Sequence, residues 1–107
     1  LLDKTAVLLA SEFGRTPRIN PRGGRDHWSR ASSVLLFGAG LKEGVVVGRT
    51  DANGEAPIER PTTPADLFCT VLSALGANPD RSLYTSDGRP VRTADDSAEP
   101  IHEILKA

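Results

Sequence analysis

The stretch from Gly14 to Arg30 is the strongest constraint on what this chain can become. Pro17, Asn20-Pro21 and Gly23-Gly24 follow one another too closely for a helix or a strand to run through it. Proline lacks a backbone donor and glycine holds no fixed conformation. The spacing predicts one long loop, and a loop of that length inside a small domain is either functional or disordered. Regular structure is therefore pushed to the flanks. Upstream, Thr5-Ala6-Val7-Leu8-Leu9-Ala10 is a continuous apolar run of strand length, which predicts a strand buried on both faces. Downstream, Ser32 to Phe37 predicts a second buried strand and Gly44 to Gly48 a short third, with a turn at Asp51-Ala52-Asn53-Gly54.

One helix is expected, from Pro64 to Leu75. Thr63 is a natural N-cap, Pro64 fits the first helical position and Asp66 lies three residues past the cap. Leu67, Phe68, Val71, Leu72 and Leu75 recur at helical spacing, and Gly76 supplies the stop. Asn78-Pro79-Asp80 and Ser86 to Pro90 read as turns around a short apolar patch at Leu83-Tyr84. Asp95 to Pro100 reads as a solvated tail, and Ile101 to Leu105 as a last helical turn docked on the body. Buried strands mixed with a helix favour an α/β fold.

The chain has 107 residues, enough for a single domain over 1–107. It lacks methionine and opens on Leu1-Leu2, from which we expect a processed product or the C-terminal part of something larger. No apolar run has the roughly 18 residues that a helical membrane span needs. The lone cysteine, Cys69, excludes an internal disulfide. With no His near it in sequence, it reads as a buried, inert thiol.

A net charge of −1 conceals an asymmetry. Residues 1–50 carry eight Lys/Arg against four Asp/Glu, and residues 51–107 carry five against ten. The positive excess concentrates at Arg15, Arg18, Arg22, Arg25 and Arg30. Guanidinium forks suit phosphate, sulfate or carboxylate, so an anionic ester or polysaccharide is the partner to expect. The competing reading is a solvated loop whose charges pair locally. Phe13 and Trp28 are the only stacking residues in or beside the loop, which argues against nucleic acid.

Glu12 lies just past the end of the first predicted strand, where open α/β sheets place ligands. Asp26-His27 lies at the far end of the loop that begins there. Folding of the loop could join these residues into a carboxylate–imidazole set suited to a divalent metal. Against this, Glu12 could simply pair with Arg15, and His27 with Asp26, while Trp28 seals the loop. His102 reads as a surface residue.

Three strings carry a resemblance: Ser11-Glu12-Phe13-Gly14-Arg15-Thr16-Pro17, Gly24-Arg25-Asp26-His27-Trp28 and Val34-Leu35-Leu36-Phe37-Gly38-Ala39-Gly40-Leu41. With Arg60 to Leu67 they resemble the C-terminal part of a bacterial sulfatase-like family within the alkaline phosphatase-like superfamily. The resemblance implies part of that superfamily's α/β sheet, with a flanking helix and a long Arg-rich loop. It implies a metal-dependent phosphate- or sulfate-ester hydrolase, with Glu12, His27 and Asp26 as metal ligands for Zn, Mn or Ca, and with Arg15 and Arg25 holding the anion. It implies that the nucleophile and first ligands lie upstream, so that this chain alone is inactive, and that the protein is exported or periplasmic. The alternative expectation is a non-catalytic module that binds sulfated or phosphorylated polysaccharide. On either expectation, a sheet without its upstream strands exposes an edge, which favours homo-oligomers.

Overall fold

A computed structural model describes residues 1–106. It contains eight short strands and one α-helix: β1 (Ala6–Leu9), β2 (Gly14–Arg15), β3 (His27–Trp28), β4 (Leu35–Gly38), β5 (Arg49–Thr50), β6 (Pro57–Glu59), α1 (Pro64–Ala74), β7 (Ser82–Tyr84) and β8 (Pro90–Arg92). Short 3₁₀ turns lie at Leu2–Lys4 and His102–Ile104. The strands pair only two by two, as β1 with β4, β2 with β3, β5 with β6 and β7 with β8. The α/β expectation holds at that level. The extended sheet implied by the family resemblance gives way to separate pairs, of which β2–β3, β5–β6 and β7–β8 are antiparallel.

The chain divides into two compact units. The first comprises Leu1–Val7, Phe37–Val45 and the residues from Thr62 onward. It is built around α1, which forms where the local signals place it. The Thr63 side chain accepts from the Asp66 N–H at 3.1 Å, and the Asp66 carboxylate accepts from the Thr63 N–H at 2.8 Å, a complete capping box. The helix closes as a Schellman turn, with the Gly76 N–H donating to Ser73 and the Ala77 N–H to Leu72. Ala39, Leu41, Cys69, Ala94 and Ile101 are the buried apolar residues. Cys69 is buried as expected; burial pushes its thiol pKa up, and the Asp80 and Asp66 charges push it the same way.

The chain end returns to this core as the sequence suggests. The Lys42 N–H donates to Ile104 at 2.8 Å and the Lys106 N–H to Gly40 at 2.9 Å, with Leu41 bridged to Leu105. The segment 95–100 is less of a solvated tail than expected. Asp95, Asp96 and Ser97 are exposed, but the Glu99 N–H donates to the Asp66 carboxylate at 3.0 Å, and Ala98 and Pro100 are half-buried. The patch at Leu83-Tyr84 belongs to the β7–β8 hairpin, in which Leu83 faces Val91 across the pair.

The second unit comprises Leu8–Leu36 and Val46–Pro61. Its framework is two antiparallel hairpins. In β2–β3, Gly14 lies opposite Trp28 and Arg15 opposite His27. In β5–β6, Arg49 lies opposite Glu59, and the two side chains form an ion pair at 3.2 Å. Asp51 makes the intervening turn, its carboxylate accepting from the Asn53 and Glu55 N–H groups. Among the described residues, none of this unit is buried.

Three strand expectations are corrected. Gly44 to Gly48 is not a strand: both glycines take positive φ, 68° and 87°, which ends extended backbone on either side of the three valines. The first and second strands form but are not buried as expected: Leu8 and Leu9 are exposed in β1, and Leu35 and Phe37 in β4. An apolar run reports what a strand could bury, and only neighbouring strands make the burial real.

Candidate functional site

The predicted loop from Gly14 to Arg30 is a hairpin whose excursion is tied down by its own polar groups. The Thr16 N–H donates to the Asp26 carbonyl at 3.0 Å, and the Asp26 N–H donates back to Thr16 Oγ1 at 3.1 Å. Asn20 organises the tip. Its Oδ1 accepts from the Arg22 and Gly24 N–H groups, both at 3.0 Å, and its Nδ2 donates to the Asp26 carboxylate at 3.0 Å. Asparagine suits this position because its side chain imitates a turn of backbone.

Two arginines act as internal clasps. Arg25 Nη1 donates to the Thr16 carbonyl at 2.8 Å and to the Pro17 carbonyl at 2.6 Å. Arg15 Nη1 donates to the Arg25 carbonyl at 3.1 Å. Each clasp occupies one nitrogen of a five-donor group, so Nε and Nη2 remain for an external anion. Both side chains stay exposed. The loop's own carboxylate, Asp26, is engaged by Asn20 and not by an arginine.

The aromatic residues fix the base of the hairpin. The His27 ring stacks on Phe13, with centroids 3.9 Å apart and planes 28° from parallel, and the Arg15 guanidinium lies 5.6 Å from the same Phe13 ring. Trp28 is half-buried and donates its Nε1–H to the Glu55 carbonyl at 2.7 Å. The Arg30 guanidinium lies over the indole, 5.5 Å from its centroid. Arg18 reaches the Glu55 carboxylate in a loose ion pair at 3.8 Å. Thr16, Pro17, Arg18, Trp28 and Glu55 together line a cleft of about 200 Å³.

The structure brings His27, Asp26, Arg15 and Arg25 into one hairpin. Glu12 is exposed ahead of it, and among the described residues it forms no hydrogen bond or ion pair, with Arg15 or otherwise. Among the described residues, no three of His, Cys, Asp and Glu converge as a metal set would. His102 lies exposed in the first unit. No helix is long and apolar enough to cross a membrane among the described residues.

Glu55 is the site residue that the sequence left unmarked. The turn at Asp51 to Gly54 was the available signal, because it sets Glu55 just ahead of the returning strand β6. The decisive contact, however, uses the Glu55 backbone carbonyl, which carries no signature of residue type.

No curated protein and no solved structure matches the chain. A family model described as a protein of unknown function does match, over residues 1–105. That finding corrects the resemblance drawn from the three sequence strings: the matched family is a distinct one, and no sulfatase or alkaline phosphatase-like protein is among the matches. In the structure the first two strings serve the hairpin itself, through the Phe13–His27 stack and the Arg25 clasp, and the third forms β4. On a match that spans all but the last two residues, the chain belongs to the family of proteins of unknown function designated DUF1501.

Proposed function

We propose that the hairpin from Gly14 to Arg30 is a binding surface for a sulfated or phosphorylated polysaccharide, and that it binds without hydrolysing. One observation carries the reading. Five arginines occupy this hairpin, and the only ion pair they make among the described residues is the 3.8 Å contact between Arg18 and Glu55. A solvated loop with locally paired charges would show its carboxylates on its guanidiniums, and Asp26 is instead bonded to Asn20. The clasps of Arg15 and Arg25 hold charge in place before any ligand arrives, which lowers the ordering cost of binding.

The hydrolase reading, with a metal held by Glu12, Asp26 and His27, draws less support. His27 lies against Phe13, and Asp26 is engaged by an amide. Binding of dextran sulfate to the chain, measured by calorimetry over a salt series with and without EDTA, separates the two. We expect binding that weakens steeply with salt, as multiple phosphate- or sulfate-like contacts require, and that survives chelation. Failure to bind at low salt would remove the reading. Binding abolished by EDTA and restored by Zn or Mn would transfer the site to the metal.

A further inference from the structure

We propose that the cleft at Trp28 is the subsite for one pyranose ring of that polysaccharide, with Arg18 holding the ring's own sulfate or phosphate group. The inference rests on the anion-binding reading above and narrows it to a charged sugar residue. At about 200 Å³ the cleft falls below the roughly 300–1,000 Å³ of sites that take drug-sized ligands, so a single ring is the fitting occupant.

The lining specifies three chemistries at once. Trp28 offers the flat of an indole whose polar edge is already committed to the Glu55 carbonyl; with Arg30 over one face of the ring, the opposite face is left for the C–H face of a sugar. Arg18 is 86% exposed along its side chain, and its loose pair with Glu55 leaves donors free for a sulfate or phosphate oxygen. The Glu55 carboxylate, 32% exposed, is acceptor-only and suits the hydroxyl donors of a pyranose. Thr16 contributes wall rather than recognition, because its hydroxyl already donates to the Arg18 carbonyl and accepts from the Asp26 N–H. A free inorganic anion satisfies one of these chemistries and a neutral sugar two. A sulfated pyranose satisfies all three.

Trp28 is the chain's single tryptophan, so its emission reads the cleft directly. The full chain is titrated with methyl glucoside 6-sulfate, with unsulfated methyl glucoside and with sodium sulfate, at matched ionic strength. The expected result is a saturable change in emission with the sulfated glucoside alone. Arg18→Gln should raise its Kd about tenfold and leave the urea midpoint of the free chain in place, since the side chain is exposed. Two results overturn the subsite: an equal response to sodium sulfate, or dextran sulfate binding by calorimetry while Trp28 emission stays constant. The second would leave the arginine hairpin standing as the binding surface. Absence of dextran sulfate binding altogether would remove both.

Discussion

Arg22 and Arg25 share the hairpin tip and do different work. The Arg25 guanidinium closes the loop through two carbonyls, Thr16 and Pro17. The Arg22 guanidinium makes no hydrogen bond or ion pair among the described residues, and only its backbone N–H is used, by Asn20. Losing a charged donor to two carbonyls should cost about 1–2 kcal/mol at an exposed site. Removing a free surface charge should stay within about 0.5 kcal/mol. We therefore expect Arg25→Gln to lower the urea midpoint while Arg22→Gln leaves it in place and weakens dextran sulfate binding. Equal destabilisation by both would show that the clasp is not structural. Unchanged affinity in Arg22→Gln would show that its charge is not part of the surface.

At the scale of elements, α1 is anchored by a hydroxyl. Thr70 is fully buried, donates to the Asp66 carbonyl at 2.6 Å and accepts from the Ile101 N–H at 2.9 Å. Thr70→Val preserves the shape and orphans that N–H, which should cost about 1–3 kcal/mol. Thr70→Ser keeps both hydrogen bonds and loses one methyl, worth about 0.8 kcal/mol of burial. Chemical denaturation that ranks serine below valine in stability would refute this anchoring. The helix was readable in advance because its determinants are local: Thr63, Pro64 and Asp66 act on one another within a single turn. The docking of Ile101 was readable for a related reason, an apolar cluster close to the chain end. The Gly44–Gly48 strand misled because three valines favour a strand only when a partner exists to pair with. The β7–β8 hairpin was recognised by its turn and missed in its arms, which include Pro90 and Arg92 beside the apolar Leu83 and Val91. The candidate site was legible in its arginines and in Trp28. It was illegible in its clasps, since Arg15, Arg25 and Trp28 all bind backbone carbonyls, and a carbonyl looks the same at every position.

For the whole molecule, the two units are held by different forces. Every buried residue described belongs to the first, around α1, Leu41 and Ile101. The second carries seven Arg against five Asp and Glu, has no buried residue among those described, and relies on turns, clasps and ring contacts. Hydrogen bonds that lie near solvent give way through low-energy local openings, whereas those around a core open only with the global transition. Amide exchange should therefore run fast across 14–30 and slowly over α1. Ligand alters only the first of these rates, because what binds the closed hairpin must raise its opening free energy, by about 2.7 kcal/mol at a hundredfold excess over Kd. Dextran sulfate at low salt should thus slow exchange at the Thr16, Asn20 and Gly24 amides roughly a hundredfold and leave the α1 amides at their unliganded rate. Protection that appears equally in both units would mean that the polymer stabilises the chain as a whole, and the hairpin would lose its standing as the place where it binds.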